Sequence, residues 1–204
     1  MNVDLVFSLI ILVFSVVIHE VSHGFIAYKL GDNTAKYQGR LTLNPLKHLD
    51  WFTSVLLPTL TYISSGFIFG MAKPVPVNEY NLRDQKWGLA KVSIAGPLSN
   101  LLIATIFGLF LRIGISNEII TLSVAKIFII IIQTNLILAV FNMFPIPPLD
   151  GSKVLFAFLP YSKQNIRNFL EANGMFILIF FILFLWQPVS IIVSYLFTLI
   201  TGLS

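Results

Sequence analysis

Two histidines and a glutamate, in the order His19-Glu20-Val21-Ser22-His23, close an apolar run whose residues 5–18 carry no charge. Side chains four apart on an α-helix share a face, so both imidazoles can reach one metal ion. Glu20 falls near the same face, where a carboxylate can take a proton from a metal-activated water. Ionisable groups at membrane depth are costly, which makes three of them together a functional signal. A catalytic zinc takes three protein ligands and leaves a position for water. The chain has no cysteine and, beyond these two, only His48, so the third ligand is expected among the carboxylates. Asp150 is the best placed. It follows an apolar stretch and the helix-breaking Pro145, Pro147 and Pro148, where opened backbone gives water and an extended peptide a way in. The same aspartate, ahead of Gly151-Ser152-Lys153, also suits a helix N-cap, and spacing alone does not choose between the two roles. Asp32 and Asp50 lie in loop-like stretches, and Glu79, Asp84, Glu118 and Glu171 among polar neighbours. His48 reads as an interfacial or strand-end residue rather than a ligand.

Hydrophobic residues are 56% of the 204, charged residues 11%, and the mean hydropathy is +0.87. A soluble domain carries about a quarter charged residues, so the composition indicates a multi-pass membrane protein and one compact bundle. The net charge of +4 sits in short loops and suits anionic lipid headgroups. No basic stripe interleaved with aromatics is present, so no nucleic-acid partner is expected. Residues 4–28 form the first span; with Asp4 and no leading Lys or Arg, they read as retained rather than as a cleaved signal.

Residues 36–43 alternate partly with period two, which predicts a short strand or hairpin. Residues 52–70 are apolar but broken by Pro58 and Ser64-Ser65-Gly66. Pro74 and Pro76 force residues 72–78 into an extended, partly unpaired conformation. Further apolar stretches run over 92–111 and 119–144. Residues 174–203, broken at Gln187-Pro188, are too long for one straight span and predict a kinked helix or a hairpin. Basic residues cluster in 29–50 and 72–91, which predicts both loops on the cytoplasmic side and 52–70 as a re-entrant or broken helical segment, the alternative being an ordinary span with one basic loop outside. Trp51, Trp87 and Trp186 fit an interfacial aromatic belt. The expected fold is therefore an all-α polytopic membrane protein. It has about four to six transmembrane or re-entrant helices and a short membrane-associated β-hairpin or strand. Residues 1–204 form a single domain with its core in 4–155 and a C-terminal helical segment at 174–203.

The chain resembles the site-2 protease family of intramembrane zinc metalloproteases, in its minimal form without appended regulatory domains. His19 to His23 are similar to the family's metal-binding helix, and Asn142 through Gly151 to its second signature. Gly39-Arg40-Leu41-Thr42-Leu43-Asn44-Pro45, the stretch 72–78 and Ala95-Gly96-Pro97-Leu98-Ser99-Asn100 also look like family segments, so the likeness covers roughly residues 15–155. It implies one zinc ion per chain held by His19, His23 and Asp150, with Glu20 as general base and Asn142 near the metal. The implied reaction is hydrolysis of peptide bonds within or near transmembrane segments of a membrane-protein substrate, in the cell membrane, with the active site toward the cytoplasm. Substrate would add as a strand to 36–43 or 72–78, which makes Gly39, Arg40, Leu41, Pro74, Val75 and Pro76 candidate substrate-binding residues. Recruitment would fall to the bundle itself or to a separate regulatory membrane protein. Two other functions use similar groups: a metal-ion or proton-coupled transporter, and a zinc hydrolase acting on a non-peptide membrane substrate. A transporter calls for carboxylates spaced along a path and for paired repeats, neither of which the sequence displays.

Overall fold

The computed structural model describes residues 3–48, 73–184 and 186–203. Among them the regular structure is helical: α1 (Val3–Lys29), α2 (Thr34–Tyr37), α3 (Gly88–Ser116), α4 (Leu122–Asn142), α5 (Asp150–Phe158), α6 (Gln164–Phe184) and α7 (Trp186–Thr201). Four stretches are long and apolar enough to cross a bilayer: Val6–Lys29, Gly88–Ser116, Leu122–Asn142 and Tyr161–Phe184. That number meets the expectation of four to six helices. The large apolar side chains turned outward, among them Phe7, Leu9, Phe14, Leu102 and Phe110, suit lipid.

Three antiparallel helices make the frame. Alpha1 and α3 run in opposite senses, so that Ser15 meets Asn100 while His23 meets Val92. Alpha4 returns beside α3, with Asn135 level with Asn100 and Phe128 edge-to-face with Phe107. The buried positions of α3 include Ala90, Ser93, Ala95, Gly96, Ala104 and Gly108, small residues that let neighbouring backbones come close. Alpha7 lies along α4, with Trp186 beside Phe141, and it reaches α3 where Ile200 covers Gly108. Ile132, Leu136, Ala104, Leu111 and Val189 fill the core between these helices and are almost fully buried.

The C-terminal region departs from the expected start at residue 174. Alpha6 begins ten residues earlier, at Gln164, because its polar first turns are helical through the i,i+4 bonds Gln164–Asn168 and Arg167–Glu171. Gln187 and Pro188, where a break was expected, lie in the first turn of α7, and residue 185 ahead of it is outside the described residues.

The strand expected at 36–43 is not found; no strand occurs among the described residues. Thr34–Tyr37 is a helical turn instead, started by Asp32, whose Oδ1 accepts from Thr34 N and Thr34 Oγ1. It ends in a Schellman arrangement, with Gly39 N donating to Lys36 O, Arg40 N to Ala35 O, and Gly39 at φ +63°. A local cap thus overrides a weak period-two pattern. Residues 73–78 are extended and unpaired, as their prolines require. The re-entrant segment expected at 52–70 lies outside the described residues.

The two basic loops do meet at one end of the bundle. Arg83 N donates to Leu30 O, and Asn78 N to Asp32 Oδ2. Arg40, buried, gives its guanidinium to the carbonyls of Lys47, Lys73 and Pro74, which binds the loop after α2 to the extended segment.

Candidate metal centre

His19 and His23 occupy successive turns of α1, some ten and six residues before its end at Lys29. At 1.5 Å per residue they stand about 15 and 9 Å inside the helix end. Both are buried, as is Asp150 at the start of α5. His19 Nε2 and His23 Nε2 each lie 3.1 Å from Asp150 Oδ2. One ligand atom from each residue falls within 4.8 Å of the others. Around a tetrahedral zinc with ligand bonds near 2.0–2.1 Å, neighbouring ligand atoms are separated by about 3.3 Å. Two neutral imidazole nitrogens and a carboxylate oxygen at this spacing fit such an ion.

The outer ring nitrogens are fixed. His19 Nδ1–H donates to Asn100 Oδ1 at 2.6 Å, and His23 Nδ1–H donates to the Val92 carbonyl at 2.7 Å. Each bond leaves the Nε2 lone pair pointing at Asp150, the tautomer a metal ligand needs. Alpha3 can come this near only because residue 96 is glycine. A Cβ there would stand 2.5 Å from His23 Nε2 and 2.6 Å from His19 Nε2. Asp150 is brought in from the opposite side by the loop after α4, in which the Pro147–Pro148 bond is cis. Gly151 packs against the Met143 carbonyl so closely that any side chain would displace it. Lys153, one turn on, reaches Asp150 Oδ1 at 3.5 Å.

Comparison with known proteins points to the same metal. Residues 111–185 match the model of Peptidase family M50. "Putative zinc metalloprotease YwhC" of Bacillus subtilis (strain 168) is 39% identical over 183 residues, which cover 87% of this chain and 80% of that protein. The chain belongs to peptidase family M50. A Methanocaldococcus jannaschii relative, "Putative zinc metalloprotease MJ0611", is 32% identical over 146 residues, 71% of either chain. "Putative zinc metalloprotease Rip2" of Mycobacterium tuberculosis (strain ATCC 25618 / H37Rv) is 29% identical over 174 residues, of which this chain spans 64% of the length. No solved structure matches the chain.

In this M50 chain the other expected site residues fall into separate groups. Glu20 is half-buried, and its Oε2 accepts from Val75 N at 2.8 Å, so the extended segment crosses the α1 face that bears the metal-binding motif. Val75 is buried, Pro76 half-buried and Pro74 exposed. Leu41 and Val75 pack together over Gly24. Arg40 is committed to protein carbonyls, and Gly39 is the exposed cap of α2. Asn142, half-buried at the end of α4, donates its amide to the Leu138 carbonyl one turn back. His48 is buried, with Nε2 hydrogen-bonded to Thr42 O, and it is not part of the metal cluster. Sequence reasoning did not find Asn100, Val92 or Gly96 as individual site residues. The Gly-Pro and the asparagine four beyond that glycine were visible in an apolar helix. What they touch depends on how α3 packs.

Proposed function

We propose that this chain is an intramembrane zinc metalloprotease in which His19, His23 and Asp150 hold one zinc ion and Glu20 is the general base. The observation that carries the reading is the convergence of two imidazole Nε2 atoms on one buried carboxylate oxygen, well inside an apolar helix. Zinc, when bound, polarises a scissile carbonyl and lowers the pKa of water from 15.7 to about 7. Glu20 takes the proton of the attacking water and returns it to the leaving amine. Asn142 has the chemistry to hydrogen-bond a developing oxyanion or a substrate carbonyl, once its amide turns from Leu138. The extended segment fits the role of strand partner for an unwound substrate, because no hydrogen bond among the described residues uses Val77 N or Val75 O. Gly39, Arg40 and Leu41 act there indirectly, by holding that segment in place. The substrate is a membrane protein with a transmembrane helix in the same bilayer, with a separate regulatory membrane protein as a possible recruiter. The site lies nearer the end of the bundle that gathers Lys29, Lys36, Arg40, Lys73, Arg83 and Lys86, and that end faces the cytoplasm.

The test uses proteoliposomes holding the protein and a single-span model substrate. Cleavage by the wild type, lost by 10²–10⁴-fold in Glu20→Gln with zinc retained, is the expected result. Undiminished cleavage by Glu20→Gln would overturn the mechanism. Cleavage that persists after residues 36–43 and 73–78 are both scrambled, with zinc kept, would remove the strand-partner role.

A further inference from the structure

Behind His19 lies a run of buried polar groups that the reaction above does not use. Asn100 and Asn135 are fully buried, and Ser15 is nearly so. Asn100 accepts from His19 Nδ1–H and donates its Nδ2 to Asn135 Oδ1 at 2.8 Å and to the Ser15 carbonyl at 3.3 Å. Asn135 Nδ2 donates to Ser15 Oγ and to the Ile131 carbonyl, both at 2.9 Å. The run links α1, α3 and α4.

Its direction is fixed by the two carbonyls, which can only accept. Facing Ile131 O, Asn135 must present its NH2 group, and that turns its oxygen to Asn100. Facing that oxygen and Ser15 O, Asn100 must present its own NH2 group, and that turns its oxygen to His19. An oxygen at this point accepts from Nδ1–H alone. His19 therefore keeps its proton on Nδ1 and its lone pair on Nε2, the atom aimed at Asp150. Reversing either amide would set like against like where no solvent can repair the mismatch, at about 1–3 kcal/mol per unsatisfied buried group.

We propose that Asn135, on a different helix from any metal ligand, is a positioning residue for the metal site, locking Asn100 and through it the metal-binding tautomer of His19. The proposal rests on the reading of His19 as a ligand. Without the Asn135 oxygen, only the longer 3.3 Å bond to the Ser15 carbonyl holds the Asn100 amide, and its NH2 group turns more easily toward His19, which stabilises the Nε2–H tautomer and blocks the metal. A role confined to gluing three helices together would not select a tautomer.

Zinc affinity, measured by competition with a chelating dye on the detergent-purified apoprotein, separates the two roles. Asn135→Leu is expected to weaken zinc binding by about 10–100-fold, the usual cost of losing an outer partner of a ligand histidine. Asn100→Asp supplies a carboxylate that can only accept from Nδ1–H, so in that background adding Asn135→Leu should change the affinity less than about threefold. An equal loss in both backgrounds, or no loss in Asn135→Leu alone, would overturn the proposal. The ¹⁵N spectrum of histidine-labelled Asp150→Ala apoprotein, in which no Asp150 carboxylate faces His19 Nε2, tests the same point without any change at Asn135, with His19 assigned by difference after His19→Gln in that background. Protonation on Nδ1 is expected, and protonation on Nε2 would overturn it. A wild type that takes up no zinc would instead remove the ligand reading, whereas tight zinc in the wild type and Asn135→Leu alike would remove the relay alone.

Discussion

A methyl group at position 96 would meet both metal-facing nitrogens of α1 at 2.5–2.6 Å. Neither histidine can withdraw easily, since Asn100 and Val92 hold the far sides of the rings. Alanine is a better helix former than glycine by about 0.8–1.0 kcal/mol, so Gly96→Ala should leave α3 intact. The expected outcome is a folded protein with unchanged helical circular dichroism and little or no bound zinc. Full zinc in Gly96→Ala would mean that α3 does not press on the site. At this scale the sequence was informative about groups that carry their own chemistry. Two histidines four apart with a glutamate between them announce a helix face, whereas Asp150 was equally good as a cap until the structure joined it to both rings. Gly96, Asn100 and Val92 act through packing across helices, for which a single chain gives no periodic signal.

The elements that hold the basic end of the bundle together are short caps and turns rather than the expected strand. Asp32 is their anchor: it receives Thr34 N, Thr34 Oγ1, Asn78 N and Asn81 Nδ2. Burial pushes its pKa up, but the hydrogen bonds from Thr34, Asn78 and Asn81 outweigh that and hold it below the ordinary value. A carboxyl lowered on folding contributes stability that is complete above its unfolded pKa of about 3.9 and is lost as pH falls through the lower folded value. The loops should therefore loosen in acid. Asp32→Asn cannot accept at both oxygens, leaves Asn78 N or its neighbours unpaired, and should cost about 1–3 kcal/mol at neutral pH. Proteolysis of residues 73–87 in detergent, followed against pH, checks both points. The wild type should be protected at pH 6 and lose protection progressively as the pH is taken below about 4, whereas Asp32→Asn should be nicked already at pH 6. Equal protection of the two proteins at pH 6 would show that Asp32 does not anchor the loop. The extended 73–78 segment was legible because proline leaves few alternatives. Residues 36–43 were misleading because alternation over eight residues is a weak pattern, and a glycine at positive φ with an aspartate ahead of Thr34 stabilised a helical turn more strongly.

Across the whole molecule, the multi-pass helical architecture could be read from composition and apolar run lengths, since the bilayer sets both. The path of α6 and α7 could not, because apolar helices of similar composition do not encode their neighbours. The proposed orientation rests on charge: the loops on either side of Leu30 and Arg83 meet at one end and hold most of the early lysines and arginines. The chain has no cysteine, so single cysteines at the exposed positions Tyr37 and Lys86 can report on it cleanly. In intact cells both should resist a membrane-impermeant maleimide and react after permeabilisation. Labelling of either from outside would reverse the assigned orientation.

The central claim is that His19, His23 and Asp150 form one zinc site with Glu20 beside it and not in it. Zinc per protein, measured on detergent-purified wild type, Glu20→Gln and Asp150→Ala after dialysis against a mild chelator, tests it most directly. A ratio near one in the first two and a marked loss in Asp150→Ala is the result expected. Equal zinc in Asp150→Ala, or none in a folded wild type, would contradict it.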